Sequence, residues 1–157
     1  MKFLRISWAK TQMLCEKLAK KVASYEPDVL VGISRGGLVP VRLLSDMLDI
    51  HAVGIIRIEF YKSAGKPGDL PRITQGLQMD ITGKRVLVVD DVSDTGKSLE
   101  VAKEYLETKG AGAVRFATLH HKPQSIFKPQ YYIEETDKWI VYPWEIHEVK
   151  RDSKNVK

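Results

Sequence analysis

Val86-Leu87-Val88-Val89-Asp90-Asp91-Val92-Ser93-Asp94-Thr95-Gly96-Lys97-Ser98-Leu99 is the stretch from which the rest of the chain is best read. Four consecutive aliphatic residues predict a strand covered on both faces, as in a parallel sheet. That strand delivers two acids to its carboxyl end, a short loop follows, and a helix opens at about Ser98. Free N–H groups at a helix N-terminus, together with the helix dipole, make a ready seat for a phosphate. Thr95 and Ser98 add hydroxyl donors, and Gly96 lets the main chain approach an anion closely. The acid pair Asp90-Asp91 suits ribose hydroxyls or a hydrated Mg²⁺, which takes one or two carboxylates plus substrate oxygens.

Working outward, strands and helices alternate. Ser7 is placed to cap a first helix carrying Thr11, Leu14, Cys15, Leu18, Ala19 and Val22 on one face, and Pro27 ends that region. Val29-Leu30-Val31-Gly32-Ile33 reads as a second buried strand. The turn Ser34-Arg35-Gly36-Gly37 then leads into a helix with Pro40 in its first turn and Leu43, Leu44, Met47 and Leu48 inward. Val53 to Ile58 and Val114 to Leu119 are further strands, and Ser98 to Lys109 is a helix closed by Gly110. This order predicts an α/β fold with a mostly parallel central sheet flanked by helices. Ligands of such sheets bind beyond the carboxyl ends of the strands.

Glu59 to Gly83 differs in kind: it holds Gly65, Pro67, Gly68, Pro71 and Gly76 and little periodicity. A long, weakly structured stretch inside a compact domain is usually a functional lid or a disordered segment, although part of this one can pair as a hairpin.

The 157 residues suit one domain, 1–157, with a self-sufficient core. At 43% hydrophobic and 29% charged, the chain is not expected to be disordered. It has no run of apolar residues long enough to span a membrane and no apolar leader at its N-terminus, so a cytoplasmic address is expected. Cys15, the only cysteine, excludes an internal disulfide and a cysteine-ligated zinc site. The net charge of +5 favours anionic partners. Aromatic residues are not interleaved with the basic ones along the sequence, so small phosphorylated substrates are favoured over nucleic acid. Lys150, Arg151, Lys154 and Lys157 read as a frayed basic tail, and His120-His121 as strand-end surface without, like His147, any ligand pattern.

Gly96-Lys97-Ser98 resembles the end of a P-loop, but that motif requires a glycine where Asp91 stands. The acid pair also resembles that of a receiver domain, but too few residues follow it. A hydrophobic strand, two acids and then Asp-Thr-Gly-x-Ser instead resemble the phosphoribosyl-pyrophosphate (PRPP) motif of the type I phosphoribosyltransferases. The resemblance runs from about Val29 to Glu145, and is nearest to the purine (hypoxanthine, xanthine–guanine) branch.

That resemblance implies an enzyme transferring the 5-phosphoribosyl group from PRPP to a 6-oxopurine with Mg²⁺, as a homodimer or homotetramer. It implies that Asp90 and Asp91 hold the ribose diol and metal, that Asp94 is the catalytic acid near the base, and that Thr95, Gly96, Lys97 and Ser98 cradle the 5′-phosphate. Lys97 stands where many members carry a second glycine. Ser34, Arg35, Gly36 and Gly37 match the pyrophosphate loop, with a non-proline cis peptide expected between Ser34 and Arg35. The span 59–83 matches the flexible catalytic loop. Many purine enzymes have a Ser-Tyr pair there where this chain has Phe60-Tyr61-Lys62-Ser63, which leaves Tyr61 and Lys62 as candidates for pyrophosphate contact. A small hood is expected from the N-terminal segment and about 120–147. In it Lys122 donates to the purine 6-oxygen, Trp139 stacks on the base beside Ile140, and Trp144 packs. Two alternatives remain at this point: a PRPP- or nucleotide-sensing regulator on the same fold, and transfer to another base.

Overall fold

The computed structural model describes residues 2–62, 64–65 and 68–155. Six strands form the central sheet in the order β4-β3-β2-β5-β6-β7. They are β2 (Val29–Ser34), β3 (Val53–Lys62), β4 (Asp69–Gln75), β5 (Arg85–Ser93), β6 (Ala113–His121) and β7 (Tyr131–Glu135). Every neighbouring pair is parallel except β3 with β4. The expected α/β architecture with a mostly parallel sheet is therefore present. A separate parallel pair joins β1 (Phe3–Arg5) to β8 (Trp139–Val141), with Leu4 opposite Ile140.

The helices follow from the apolar periodicity. Ser7 Oγ accepts from the Lys10 N–H at 3.0 Å and caps α1 (Trp8–Val22), whose buried residues are Thr11, Leu14, Cys15, Leu18, Ala19 and Val22. This is the face expected from sequence. Helices α1 and α2 (Leu38–Leu48) cover one side of the sheet, where Leu14, Leu18 and Leu44 meet Leu30, Leu87 and Leu119. Helix α3 (Lys97–Thr108) covers the other, where Leu99, Ala102 and Leu106 meet Val31, Val88 and Phe116. Because α2 and α3 lie on opposite faces, the chain leaves the adjacent strands β2 and β5 in opposite directions. The two loops thus open a crevice between them, at the switch point where such folds bind ligands.

Three stretches differ from their sequence reading. The strand from Val53, β3, does not stop at Ile58: it runs to Lys62 and pairs antiparallel with Asp69–Gln75, so the part of 59–83 open to hairpin pairing extends as far as Gln75. Ser63, Lys66 and Pro67 lie outside the described residues. Asp69–Gln75 sits at the open edge of the sheet, where Pro71 is tolerated because an edge strand leaves one row of N–H groups unpaired. The basic segment expected to fray instead forms α4 (Ile146–Asn155), although Lys157 lies beyond the described residues. His120 and His121 are buried, at 0% and 4% exposure, not strand-end surface. Among the described residues no helix is long and apolar enough to cross a membrane.

Gly37 is where β2 and β5 come together. A β-carbon there would lie 2.4 Å from the Val89 carbonyl oxygen and 2.8 Å from that of Ile33. Both are main-chain atoms inside a sheet, so neither can step aside. We therefore expect Gly37→Ala to destabilise the protein by about 1–3 kcal/mol, the usual range for overpacking. Equilibrium denaturation measures this, and an unchanged midpoint would contradict the close approach.

Candidate active site

The first half of the crevice is built on β5. Asp91 is buried and Asp90 half-buried where the apolar run ends. Their carboxylates accept from the next main-chain N–H in each case, Asp91 N–H to Asp90 at 2.9 Å and Val92 N–H to Asp91 at 2.8 Å. Burial, and then the neighbouring Asp91 charge, hold Asp90 well above the usual carboxylate range. Burial, followed by the charge of Glu145, pushes Asp91 up to about 7. Among the described residues no lysine or arginine pairs with Asp90, Asp91 or Asp94.

The loop after β2 closes on this pair. The peptide between Ser34 and Arg35 is cis, as the resemblance implied. Gly36 lies so near Asp91 that an added β-carbon would sit 2.5 Å from a carboxylate oxygen. The Arg35 guanidinium reaches across to Glu148 of α4 at 2.9 Å while remaining largely exposed.

Beyond the acids the chain turns into α3 with no side-chain cap. Gly96 has φ +86°, a left-handed conformation that favours glycine. The first-turn N–H groups of α3 have no partners within the helix, and only Lys97 N–H has a long contact, 3.4 Å, to Thr95 Oγ1. They face a cavity of about 240 Å³ lined by Phe60, Asp90, Val92, Ser93, Asp94, Thr95, Gly96, Ser98 and Leu99. The floor is fixed from below: Ser93 Oγ donates to the Phe127 carbonyl at 2.7 Å, and Ile126 N–H to the Thr95 carbonyl at 3.0 Å. Of the expected phosphate cradle, Lys97 is the one residue that lines neither cavity; its ammonium donates to the Asp69 carbonyl at 3.4 Å, tying α3 to the hairpin.

A second cavity, about 430 Å³, adjoins the first. Lys122, Trp139 and Ile140 all line it, and Asp94 and Val92 line both cavities. Trp139 is 52% exposed, which leaves an indole face open to a flat ligand. Lys122 is buried, and its ammonium donates to the Lys138 carbonyl, which pins the side chain while leaving it further donors. Trp144 instead packs, stacked on Tyr142 with ring centroids 4.7 Å apart.

Sequence reasoning missed several residues here. It named Phe60 but attached the loop's role to Tyr61 and Lys62. Phe60 lines the small cavity, whereas Arg72 covers the Tyr61 ring at 4.9 Å. Ser93, Ser125 and Phe127 support the loop leading into α3, and Asp137, Glu145 and Glu148 give the larger cavity an acidic rim. No local signal marks these residues, because their placement depends on chain segments distant in sequence.

Comparison with known proteins agrees with this geometry. A family model described as "Phosphoribosyl transferase domain" matches residues 7–151. The xanthine-guanine phosphoribosyltransferase of Cereibacter sphaeroides (strain ATCC 17025 / ATH 2.4.3) is 31% identical over 154 residues, covering 92% of this chain and 88% of that protein. A crystal structure of purine phosphoribosyltransferase from Pyrococcus horikoshii Ot3 is similar with a TM-score of 0.84 and 42% identity, over 92% of this chain and 94% of that one. The Helicobacter pylori xanthine-guanine-hypoxanthine phosphoribosyltransferase shares the fold, with a TM-score of 0.80 and 23% identity over 96% of this chain and 99% of its own.

The acid pair makes stability depend on pH in an unusual direction for carboxylates. A folded-state pKa raised above the unfolded value means that the folded protein binds the proton more tightly. The contribution to stability is therefore present at low pH and lost as pH rises from about 4 to about 7. The ligand-free melting temperature should carry a falling component across that window, and Asp91→Asn should flatten it. Melting curves at constant ionic strength measure both, and a wild-type profile identical to that of Asp91→Asn would contradict the assignment.

Proposed function

The chain belongs to the phosphoribosyltransferase family, and from that premise we propose that it moves the 5-phosphoribosyl group of PRPP onto a 6-oxopurine, releasing pyrophosphate and forming the nucleoside monophosphate. The observation that carries this reading is the shared wall of the two cavities: Asp94 borders both the cavity under the α3 N-terminus and the cavity holding Lys122 and Trp139. A ribose phosphate in the first and a flat base in the second would meet at Asp94.

In this reading the first-turn N–H groups of α3, with Thr95, Gly96 and Ser98, hold the 5′-phosphate, the Lys97 ammonium being engaged elsewhere. Ser34, Arg35, Gly36 and Gly37 take the pyrophosphate, Arg35 exchanging Glu148 for the incoming anion. Two adjacent carboxylates held above their ordinary pKa, with no cationic partner among the described residues, fit a divalent cation, and substrate oxygens would complete its shell. Mg²⁺ bound there by Asp90 and Asp91 would supply charge neutralisation for the departing pyrophosphate. Holding the two substrates in line removes the entropic part of the barrier. Asp94 accepts or steers the purine proton near N7, a general-base role. Trp139 stacks on the base beside Ile140, and Lys122 donates to its 6-oxygen. The hairpin bearing Phe60 acts as the lid that excludes water, and the β1–β8 pair belongs to the hood of one domain spanning 1–157. A cytoplasmic address and assembly as a homodimer or homotetramer belong to the same reading.

Incubation with PRPP, Mg²⁺ and a panel of bases, followed by product identification, tests the whole reading. Hypoxanthine, guanine or xanthine should be converted in preference to adenine, and excess chelator should abolish turnover. PRPP binding without turnover of any base would point to a sensing regulator instead. Asp94→Ala should lower kcat by about 10²–10⁴ with PRPP binding largely retained, the usual range for a general base; near-normal kcat would remove Asp94 from the chemistry. Lys122→Met should lose the preference for a 6-oxo over a 6-amino base, read as the ratio of kcat/KM values for guanine and adenine. An unchanged ratio would sink the base-site assignment and leave the ribose-phosphate site standing.

A further inference from the structure

Behind the acid pair lies a chain of polar side chains, led by the buried Tyr142 and His120, to which the proposed reaction gives no chemical step; Tyr142 also borders the larger cavity. Tyr142 and His120 are among the most buried large side chains, at 1% and 0% exposure. The Tyr142 hydroxyl donates to the main-chain carbonyl of Asp91 at 3.0 Å and lies 2.8 Å from His120 Nδ1. On its far side, His120 Nε2 is 3.4 Å from a Glu134 carboxylate oxygen, and Glu134 is held by the Lys10 ammonium at 2.5 Å. Lys122 is the remaining charged side chain near this ring.

Counting protons fixes the direction of the chain. A hydroxyl has one proton, and a carbonyl can only accept. Tyr142 therefore gives its proton to Asp91, and the contact with His120 must be a donation from Nδ1–H. Burial lowers the pKa of His120, favouring a neutral ring with a single N–H. Nε2 lies 3.4 Å from a Glu134 oxygen without the alignment of a hydrogen bond, so a proton there gains little. Placing it on Nε2 would also set Tyr142 between two acceptors, so that His120 would compete with Asp91 for the only proton.

The Asp91 carbonyl needs this partner for a topological reason. Strand β2 pairs with β5 only as far as Gly32 opposite Val89, and then turns away as the loop Ser34–Gly37. Asp91 lies beyond that last pair, so no β2 N–H remains to hold its carbonyl. The orientation of this peptide also sets the Val92 N–H that the Asp91 carboxylate accepts. We propose that His120 is a positioning residue for the ribose and metal acids, acting through Tyr142 to fix the Asp91 peptide. The inference rests on the reading of Asp90 and Asp91 given above.

Four variants test it: Tyr142→Phe, His120→Leu, His120→Asn and the double variant His120→Leu/Tyr142→Phe. Asparagine keeps a donor near the place of Nδ1, whereas leucine has similar bulk and none. Loss of one buried hydrogen bond should raise KM for PRPP by about five- to tenfold in Tyr142→Phe and His120→Leu. KM for the base should stay at the wild-type value in His120→Leu. In Tyr142→Phe it should rise less than that for PRPP, because Tyr142 also borders the larger cavity. His120→Asn should recover most of the loss. The double variant should be no worse than Tyr142→Phe, since both act through one contact. The rise in melting temperature on adding PRPP with Mg²⁺ should shrink in the same order, a readout independent of turnover. A wild-type KM for PRPP in Tyr142→Phe overturns the proposal, as do equal rises in both KM values or additive losses in the double variant. If His120→Leu does not fold, the contrast between Tyr142→Phe and His120→Asn decides on the same criteria. A wild-type protein that converts no base would instead overturn the proposed function, and the PRPP-induced melting shifts would still judge the positioning role.

Discussion

Two carboxylates must be kept at the edge of an apolar sheet with no ion-pair partner among the described residues, and much of the surrounding structure follows from that. Val86–Val89 is buried on both faces, so the strand bearing Asp90 and Asp91 occupies the middle of the sheet. The acids emerge where the neighbouring strand β2 ends, while β6 runs on beside them. Glycine at 36 lets the adjoining loop lie against Asp91, and glycine at 37 lets it pass the Val89 carbonyl. The groups that touch the pair are N–H donors and a carbonyl-bound hydroxyl, all uncharged. Uncharged donors orient carboxylates but do not cancel their mutual repulsion.

Charge on the other side of the crevice is arranged in the opposite sense. Arg35, the exposed cation at the loop, is occupied by Glu148, and Glu145 and Asp152 extend an acidic rim around the larger cavity. An ion pair this exposed is worth little, on the order of 0–1 kcal/mol, so it holds Arg35 in place and yields readily to a doubly charged anion. Lys97 is similarly engaged with the hairpin carbonyl at Asp69. Arg35 and Lys97 are thus restrained by weak contacts, whereas Lys122 is buried and pinned to a carbonyl.

The central fold was legible in the sequence because it is written in local periodicity. Apolar runs marked β2 and β5, the helical face of α1 was read residue by residue, and Gly36-Gly37 and Gly96 marked the turns. The phosphate loop was legible because one contiguous segment supplies the strand, the acids and the helix N-terminus. What sequence did not display was pairing between distant short segments. β1, β7 and β8 are three to five residues long, too short for a period to declare itself. Pairing beyond Ile58 was allowed for, but its extent was blurred by glycines and prolines, which punctuate an edge strand as readily as a loop. His120 and His121 were misplaced for the same reason: their burial comes from β7 and from Tyr142, which local sequence cannot announce.

The β1–β8 pairing has a consequence for the order in which the molecule can be completed. Phe3–Arg5 lies alongside Trp139–Val141, and Trp139 N–H donates to the Lys2 carbonyl at 2.9 Å, so this contact closes nearly the entire chain into one loop. The acid pair and the phosphate turn, by contrast, are finished within a few residues of each other. During synthesis the ribosome releases Trp139 long after the segment around Asp90 has emerged, and the first strand waits unpaired until then. The wall that carries the indole is therefore assembled late, followed only by the α4 residues of the same cavity, and it is exposed to loss when the N-terminus frays.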